Sequence, residues 1–166
     1  MALLLNLHGS KPAEAQPVVT SQYYCLMDSR SGQLLTGKNM HMPRPVASTT
    51  KMMTAILTMD YTGLNEIASV SPHADKTAEY TIGLRAGQTL PLQELMKAAL
   101  ICSANDAAVV LAEHVAGDEA LFAHLMSCKA FLIGATSTHF VNASGLPADN
   151  HYSTAYDLAQ IGRYAL

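Results

Sequence analysis

The sequence predicts an α/β fold of the α+β kind, a helical cluster packed on antiparallel sheet. Three observations lead there. The chain opens with a hairpin-like pattern, its second half repeats apolar residues at helical spacing, and 49% of the 166 residues are hydrophobic while 14% are charged. Such a composition builds a core, and the length suits one domain. A net charge of −3 without a basic cluster leaves no footprint for nucleic acid. No apolar run reaches the ~18 residues that suggest a membrane span.

Residues 1–15 read as the remnant of an export signal. Ala2-Leu3-Leu4-Leu5-Asn6-Leu7 resembles the end of an apolar targeting segment, and Ala13-Glu14-Ala15 fits a small-x-small cleavage pattern before Gln16. The apolar run is short and no positive segment precedes it, so an unordered tail fits the same residues. From Val18 to Met27 the chain is rich in β-branched and aromatic residues. Asp28-Ser29-Arg30-Ser31-Gly32 then reads as a turn and Gln33–Lys38 as the returning strand. An irregular stretch over 39–47 leads to a helix over 48–62, and Ile67–Ser71 suits a short strand. His73–Thr89 is polar and glycine-containing, a loop with small pieces of strand. Pro91 stands at a first-turn position before the amphipathic run Leu92, Leu95, Met96, Ala99, Leu100. Ser103-Ala104-Asn105-Asp106 interrupts it, and Ala107–Val115 resumes helical spacing until Gly117. Asp118 can cap a helix that runs towards Gly134, and Ser153 can cap a last one reaching Leu166. One hairpin is too little sheet for this much helical apolar surface, so the chain reads as C-terminally incomplete. Cys25, Cys102 and Cys128 are widely spaced in apolar stretches and read as buried free thiols.

Two short motifs carry chemistry. Ser48-Thr-Thr-Lys51 puts a hydroxyl and an amine on one helical face, and a desolvated lysine can take the proton that keeps a serine unreactive. A chain of this composition contains such a spacing about 0.4 times by chance, so the setting matters. Pro43 and Pro45 block helix before it, and Met52-Met53-Thr54-Ala55-Ile56-Leu57 follows as a core helix would. Ser48 would thus sit at the positive end of a buried helix. An N-cap serine with a surface lysine fits the same residues. The second motif, Ser103-x-Asn105, offers a proton-relaying hydroxyl and a carboxamide at a break between helices. Ser and Asn are also ordinary turn residues there.

Together the two motifs resemble the penicillin-binding and serine β-lactamase superfamily. The surrounding text is similar to one branch, the exported serine D-alanyl-D-alanine carboxypeptidases (peptidase family S11, low-molecular-mass penicillin-binding proteins). The segments are Pro45-Val-Ala-Ser48-Thr-Thr-Lys51-Met-Met-Thr54-Ala55, Gly83-Leu-Arg-Ala-Gly87, Ser103-Ala-Asn105-Asp-Ala-Ala108, Thr138-His-Phe-Val-Asn142-Ala-Ser-Gly145-Leu146 and Asn150-His-Tyr-Ser153-Thr-Ala-Tyr156-Asp-Leu158. The resemblance covers residues 18–166 and implies a β-lactamase/transpeptidase-like fold. Residues 16–166 would be a partial catalytic domain lacking its C-terminal strands.

The resemblance also implies roles. Ser48 would attack the carbonyl between the terminal D-alanines of a peptidoglycan stem peptide and form an acyl-enzyme. Lys51 would accept its proton, Ser103 would relay protons to the leaving amine, and Asn105 would position lysine and substrate. The backbone N–H of Ser48 would supply half of an oxyanion hole, and β-lactams would acylate Ser48 as substrate mimics. No metal or organic cofactor is implied. The location would be the extracytoplasmic face of the envelope, periplasm or cell wall, with membrane association only through parts absent here.

The family's third motif, Lys-Thr-Gly, does not occur; Lys76-Thr77 is followed by Ala78. In the family that strand binds the substrate carboxylate and supplies the second oxyanion donor, so this 166-residue chain is expected to have low activity. A class A-like β-lactamase would need a Glu-x-x-x-Asn loop, and neither Glu113 nor Glu119 has Asn four residues on. A zinc peptidase would need clustered ligands, whereas the seven histidines are scattered. A non-catalytic fragment that binds cell-wall peptide is the remaining alternative.

Overall fold

The structure, a computed structural model, describes residues 19–166. The proposed signal and its cleavage pattern over 1–15 lie outside the described residues. Strands β1 (Tyr24–Met27) and β2 (Leu34–Lys38) form the expected antiparallel hairpin, in register Tyr24 to Lys38. Its turn is closed by Asp28, whose Oδ1 accepts from Ser31 N at 2.7 Å and Ser31 Oγ at 2.6 Å. A second antiparallel pair joins β3 (Ile67–Ser69) to β4 (Thr89–Pro91). That pairing spans residues 70–88, a short helix and a loop, so no local turn signal marks it.

Six helices follow or separate these strands. The predicted helix over 48–62 is two elements: a 3-10 turn over Ala47–Thr50, then α1 (Lys51–Tyr61). A short α2 (Pro72–Asp75) begins one residue before the stretch read as loop and runs into it; Ser71 Oγ caps it by accepting from His73 N and Ala74 N. Pro91 ends β4 and is the N-cap of α3 (Leu92–Ile101), one position earlier than the expected first-turn place. Next come α4 (Asn105–Ala116), closed by Gly117 in the left-handed conformation, and α5 (Glu119–Leu132), capped by Asp118. The cap of α6 (Ala155–Ala165) is Thr154, whose Oγ1 accepts from Asp157 N, and not Ser153. The Ser153 hydroxyl is instead paired with Thr138 Oγ1 at 2.7 Å.

Helix α4 is the hub. Ala107, Ala108, Val109, Val110, Leu111 and Ala112 are all buried, so it is wrapped on every side. One face joins the core built with Leu92, Leu95, Ala99 and β3; the other joins Met53, Leu57, Phe122, Met126 and Ile161. Small side chains at 107, 108 and 112 let neighbouring helices approach closely. The arrangement brings the start of α1 beside the start of α4. Two of the three thiols depart from expectation: Cys102 and Cys128 are exposed and Cys25 is half-buried. Cys128 sits off the α5 face that buries Phe122, Met126 and Ala130, which explains its exposure.

Asp106 ties this hub to the next loop. Its buried carboxylate accepts from Ile82 N at 3.2 Å, Leu84 N at 3.0 Å and Ala107 N at 2.9 Å. Replacing it leaves the buried Leu84 N–H unpaired, which typically costs ~1–3 kcal/mol. Asp106→Ala is therefore expected to lower stability by about 2 kcal/mol in denaturant unfolding, whereas a surface role would leave the midpoint unchanged.

Candidate active site

Proline at 43 and 45 keeps the approach extended, and the chain then turns sharply at Ala47, which has φ +45°. In the 3-10 turn that follows, side chains three residues apart eclipse each other. Lys51 Nζ therefore comes within 3.3 Å of Ser48 Oγ. Ser48 is exposed, while Lys51 is only 2% exposed, which removes the surface-lysine reading. From α4, Asn105 Oδ1 accepts from Lys51 Nζ at 2.7 Å; from the 142–145 loop the Ser144 carbonyl accepts at 2.7 Å. Ser103, held at φ +57°, turns its hydroxyl onto Ser48 Oγ at 2.7 Å. All four residues singled out in the sequence thus meet at one point.

The electrostatics follow from burial. Desolvation pushes the Lys51 amine down from its ordinary value to about 8. A neutral amine has two N–H donors and one lone pair. Lys51 Nζ donates to the Asn105 and Ser144 oxygens and to Ser48 Oγ; once the amine is neutral, the two oxygens that can only accept keep its two N–H groups and the lone pair is left for the Ser48 hydroxyl. The Asn105 orientation is fixed by its other end, since Nδ2 donates to the Glu79 carbonyl at 3.1 Å. Asn105 N also donates to the Tyr80 carbonyl at 2.9 Å.

Four non-glycine residues at this site have left-handed backbones: Ala47, Glu79, Tyr80 and Ser103. Such residues persist where their surroundings over-determine them, commonly at functional sites. A cleft of about 250 Å³ opens beside Ser48, walled by Val46, Glu79, Tyr80, Leu146, Pro147 and His151. Its floor depends on Gly145, at φ +85°, which lies against the Ala47 carbonyl. Sequence reasoning assigned no role to Ser144, Gly145, Glu79 or Tyr80. Asn142-Ala-Ser-Gly145 did carry a signal, because the Asn142 side chain caps the turn by accepting from Gly145 N at 2.7 Å. For Glu79 and Tyr80 no signal existed, since neither is a residue that left-handed backbone favours.

Residues 10–166 match the family model of peptidase S11, D-alanyl-D-alanine carboxypeptidase. The chain belongs to that family. Its S11 relatives include D-alanyl-D-alanine carboxypeptidase DacB2 of Mycobacterium tuberculosis, 37% identical over 161 residues. The match takes in 95% of this chain and 54% of that protein. Among solved structures, D-alanyl-D-alanine carboxypeptidase DacD from Francisella tularensis superposes with a TM-score of 0.85 at 31% identity, over 93% of this chain and 40% of that one. Penicillin-binding protein D2 from Listeria monocytogenes, in its ampicillin-bound form, gives 0.78 at 26% identity, over 91% of this chain and 63% of that one. The expected transpeptidase-like fold is therefore the observed one, and the chain spans about half the length of DacB2.

Proposed function

We propose that this chain carries the nucleophile half of a serine-type D-Ala-D-Ala carboxypeptidase site. The observation that carries the reading is the buried Lys51 amine, 3.3 Å from Ser48 Oγ and held by the Asn105 and Ser144 oxygens, so that its neutral form can turn a lone pair to Ser48. Ser48 Oγ attacks the carbonyl carbon between two terminal D-alanines, and its proton passes to Lys51 Nζ. As the tetrahedral adduct collapses, the C–N bond breaks and the departing amine takes a proton through the Ser103 hydroxyl. Free D-alanine leaves and an ester remains on Ser48. Water then attacks that ester, giving a proton to Lys51, and Ser48 is regenerated. The Ser48 backbone N–H, at the start of the 3-10 turn and free of an intrahelical partner, would bind the oxyanion.

The substrate class is peptidoglycan stem peptides ending in D-Ala-D-Ala, with β-lactams as acylating mimics, and the place of action is the cell envelope. Among the described residues no helix is long and apolar enough to cross a membrane. Neither Glu113 nor Glu119 lines the cleft beside Ser48, where a β-lactamase-type deacylating base would stand; Glu113 pairs with His73 at 2.9 Å and Glu119 accepts from Ala143 N at 3.0 Å. No Lys-Thr-Gly occurs in the 166 residues, and loss of one oxyanion donor typically costs ~3–4 kcal/mol. Turnover by this chain is accordingly expected to be slow.

The test is release of D-alanine from a peptide ending in D-Ala-D-Ala, beside one ending in L-Ala-L-Ala. Slow release from the first alone, abolished in Ser48→Ala, is the expected result. Equal release by Ser48→Ala would refute the reading, and rapid turnover of penicillin would favour a β-lactamase.

The pH profile of acylation has a definite sign. The reactive form has Lys51 neutral, so the rate should climb about tenfold per pH unit up to about 8 and level off above it. Stopped-time labelling with a fluorescent penicillin between pH 6 and pH 9, a range of roughly three units centred near this value, reads that profile. A flat profile contradicts the role given to Lys51.

A further inference from the structure

His151 is a buried titratable group that the chemistry above leaves unused, although its ring forms part of the cleft wall. Its two nitrogens have distinguishable partners. Val141 N–H donates to Nδ1 at 3.1 Å, so Nδ1 carries a lone pair and the ring proton resides on Nε2. Nε2 lies 2.9 Å from Thr50 Oγ1 and therefore donates to it. The ring plane is held by an edge contact with Phe140, with centroids 5.7 Å apart. Backbone bonds between His139 and Tyr152 in both directions, and from His151 N to the Ala148 carbonyl, fix the segment that carries it. Burial, and then nearby His139, lower its affinity for a proton and favour the neutral ring.

Thr50 is fully buried and stands between Ser48 and Lys51, at the junction of the 3-10 turn with α1. Within the function proposed above, on which this inference rests, we propose that His151 is a positioning residue. Its Nε2–H bond to Thr50 Oγ1 sets the pitch of the turn and so the alignment of Ser48 Oγ with Lys51 Nζ. The connection is direct. Thr50 is the neighbour of Lys51 and two residues from Ser48, and a small rotation of that turn changes both ends of a 3.3 Å contact. His151 itself touches neither reacting atom.

Three variants of the 166-residue chain test this. His151→Phe keeps a ring but removes donor and acceptor, Thr50→Val removes the acceptor, and His151→Gln can return an N–H near the position of Nε2. With a fluorescent penicillin, His151→Phe and Thr50→Val are each expected to lower the limiting acylation rate about tenfold, with half-saturation within about twofold of the unaltered chain. The double variant should be no slower than the slower single one, and His151→Gln should regain most of the rate. In the unaltered chain, nitrogen-15 NMR should show His151 protonated at Nε2 and bare at Nδ1. An unchanged rate in both His151→Phe and Thr50→Val, with each still unfolding cooperatively, overturns the proposal, and so does a proton on Nδ1. If the unaltered chain does not react, the functional reading falls. The positioning claim then stands or falls on whether the Ser48 and Lys51 amide resonances move in Thr50→Val.

Discussion

Lys51→Met should abolish acylation of Ser48 while leaving a folded protein. Methionine fills nearly the same volume and carries no base, so the Ser48 hydroxyl keeps its proton as the bond forms. Loss of a general base typically costs 10²–10⁴-fold, and here the same group also orients the nucleophile. A fall of about 10³-fold or more in the rate of labelling by a fluorescent penicillin is expected. Stability should change little, because two effects oppose. The Asn105 and Ser144 oxygens each lose a donor from Lys51, at a cost of ~1–3 kcal/mol for buried groups. Against that, an amine that burial already holds down to about 8 no longer has to be desolvated. Labelling within tenfold of the unaltered chain would mean that Lys51 is structural.

Among the described glycines, Gly145→Ala should be the most destabilising substitution. A Cβ at 145 would collide with the Ala47 carbonyl oxygen and carbon, with Thr50 Oγ1 at 2.9 Å. Those atoms are backbone and a buried hydroxyl, so no flexible side chain can move aside. The glycine also has φ +85°, which disfavours any side chain. The turn presenting Ser48 must shift, and a loss of about 4 kcal/mol is expected, lowering Tm by roughly 10 °C. Gly117→Ala is the control, because its φ is +77° but nothing lies within 4 Å of the added carbon. It should cost only the backbone term, about 1 kcal/mol. Equal losses for the two variants in thermal unfolding would show that strain, and not the contact with Ala47, governs position 145.

The site was more legible than the sheet. Ser48, Lys51, Ser103 and Asn105 stand in short motifs whose chemistry depends on residue type, and the folded chain brings them together. The β1–β2 hairpin was also readable, since its strands flank a turn whose Asp28 and Gly32 are turn-formers. By contrast β4 is three residues ending in proline, paired to β3 across a short helix and a loop, and nothing local announces it. Adjacent hydroxyls at 153 and 154 could each cap α6; which one does is decided by Thr138, a tertiary neighbour that occupies Ser153. The left-handed backbones at Glu79 and Tyr80 arise from Asn105 and Asp106 pinning that loop, an effect outside any local pattern.

Activation of Ser48 by Lys51 should leave a covalent trace on Ser48. Mass spectrometry after prolonged incubation with penicillin tests it most directly. A slowly formed adduct of penicillin mass is expected on the peptide containing Ser48, absent from Ser48→Ala and from Lys51→Met. An adduct on any other residue, or none at Ser48 in the unaltered chain, would contradict it.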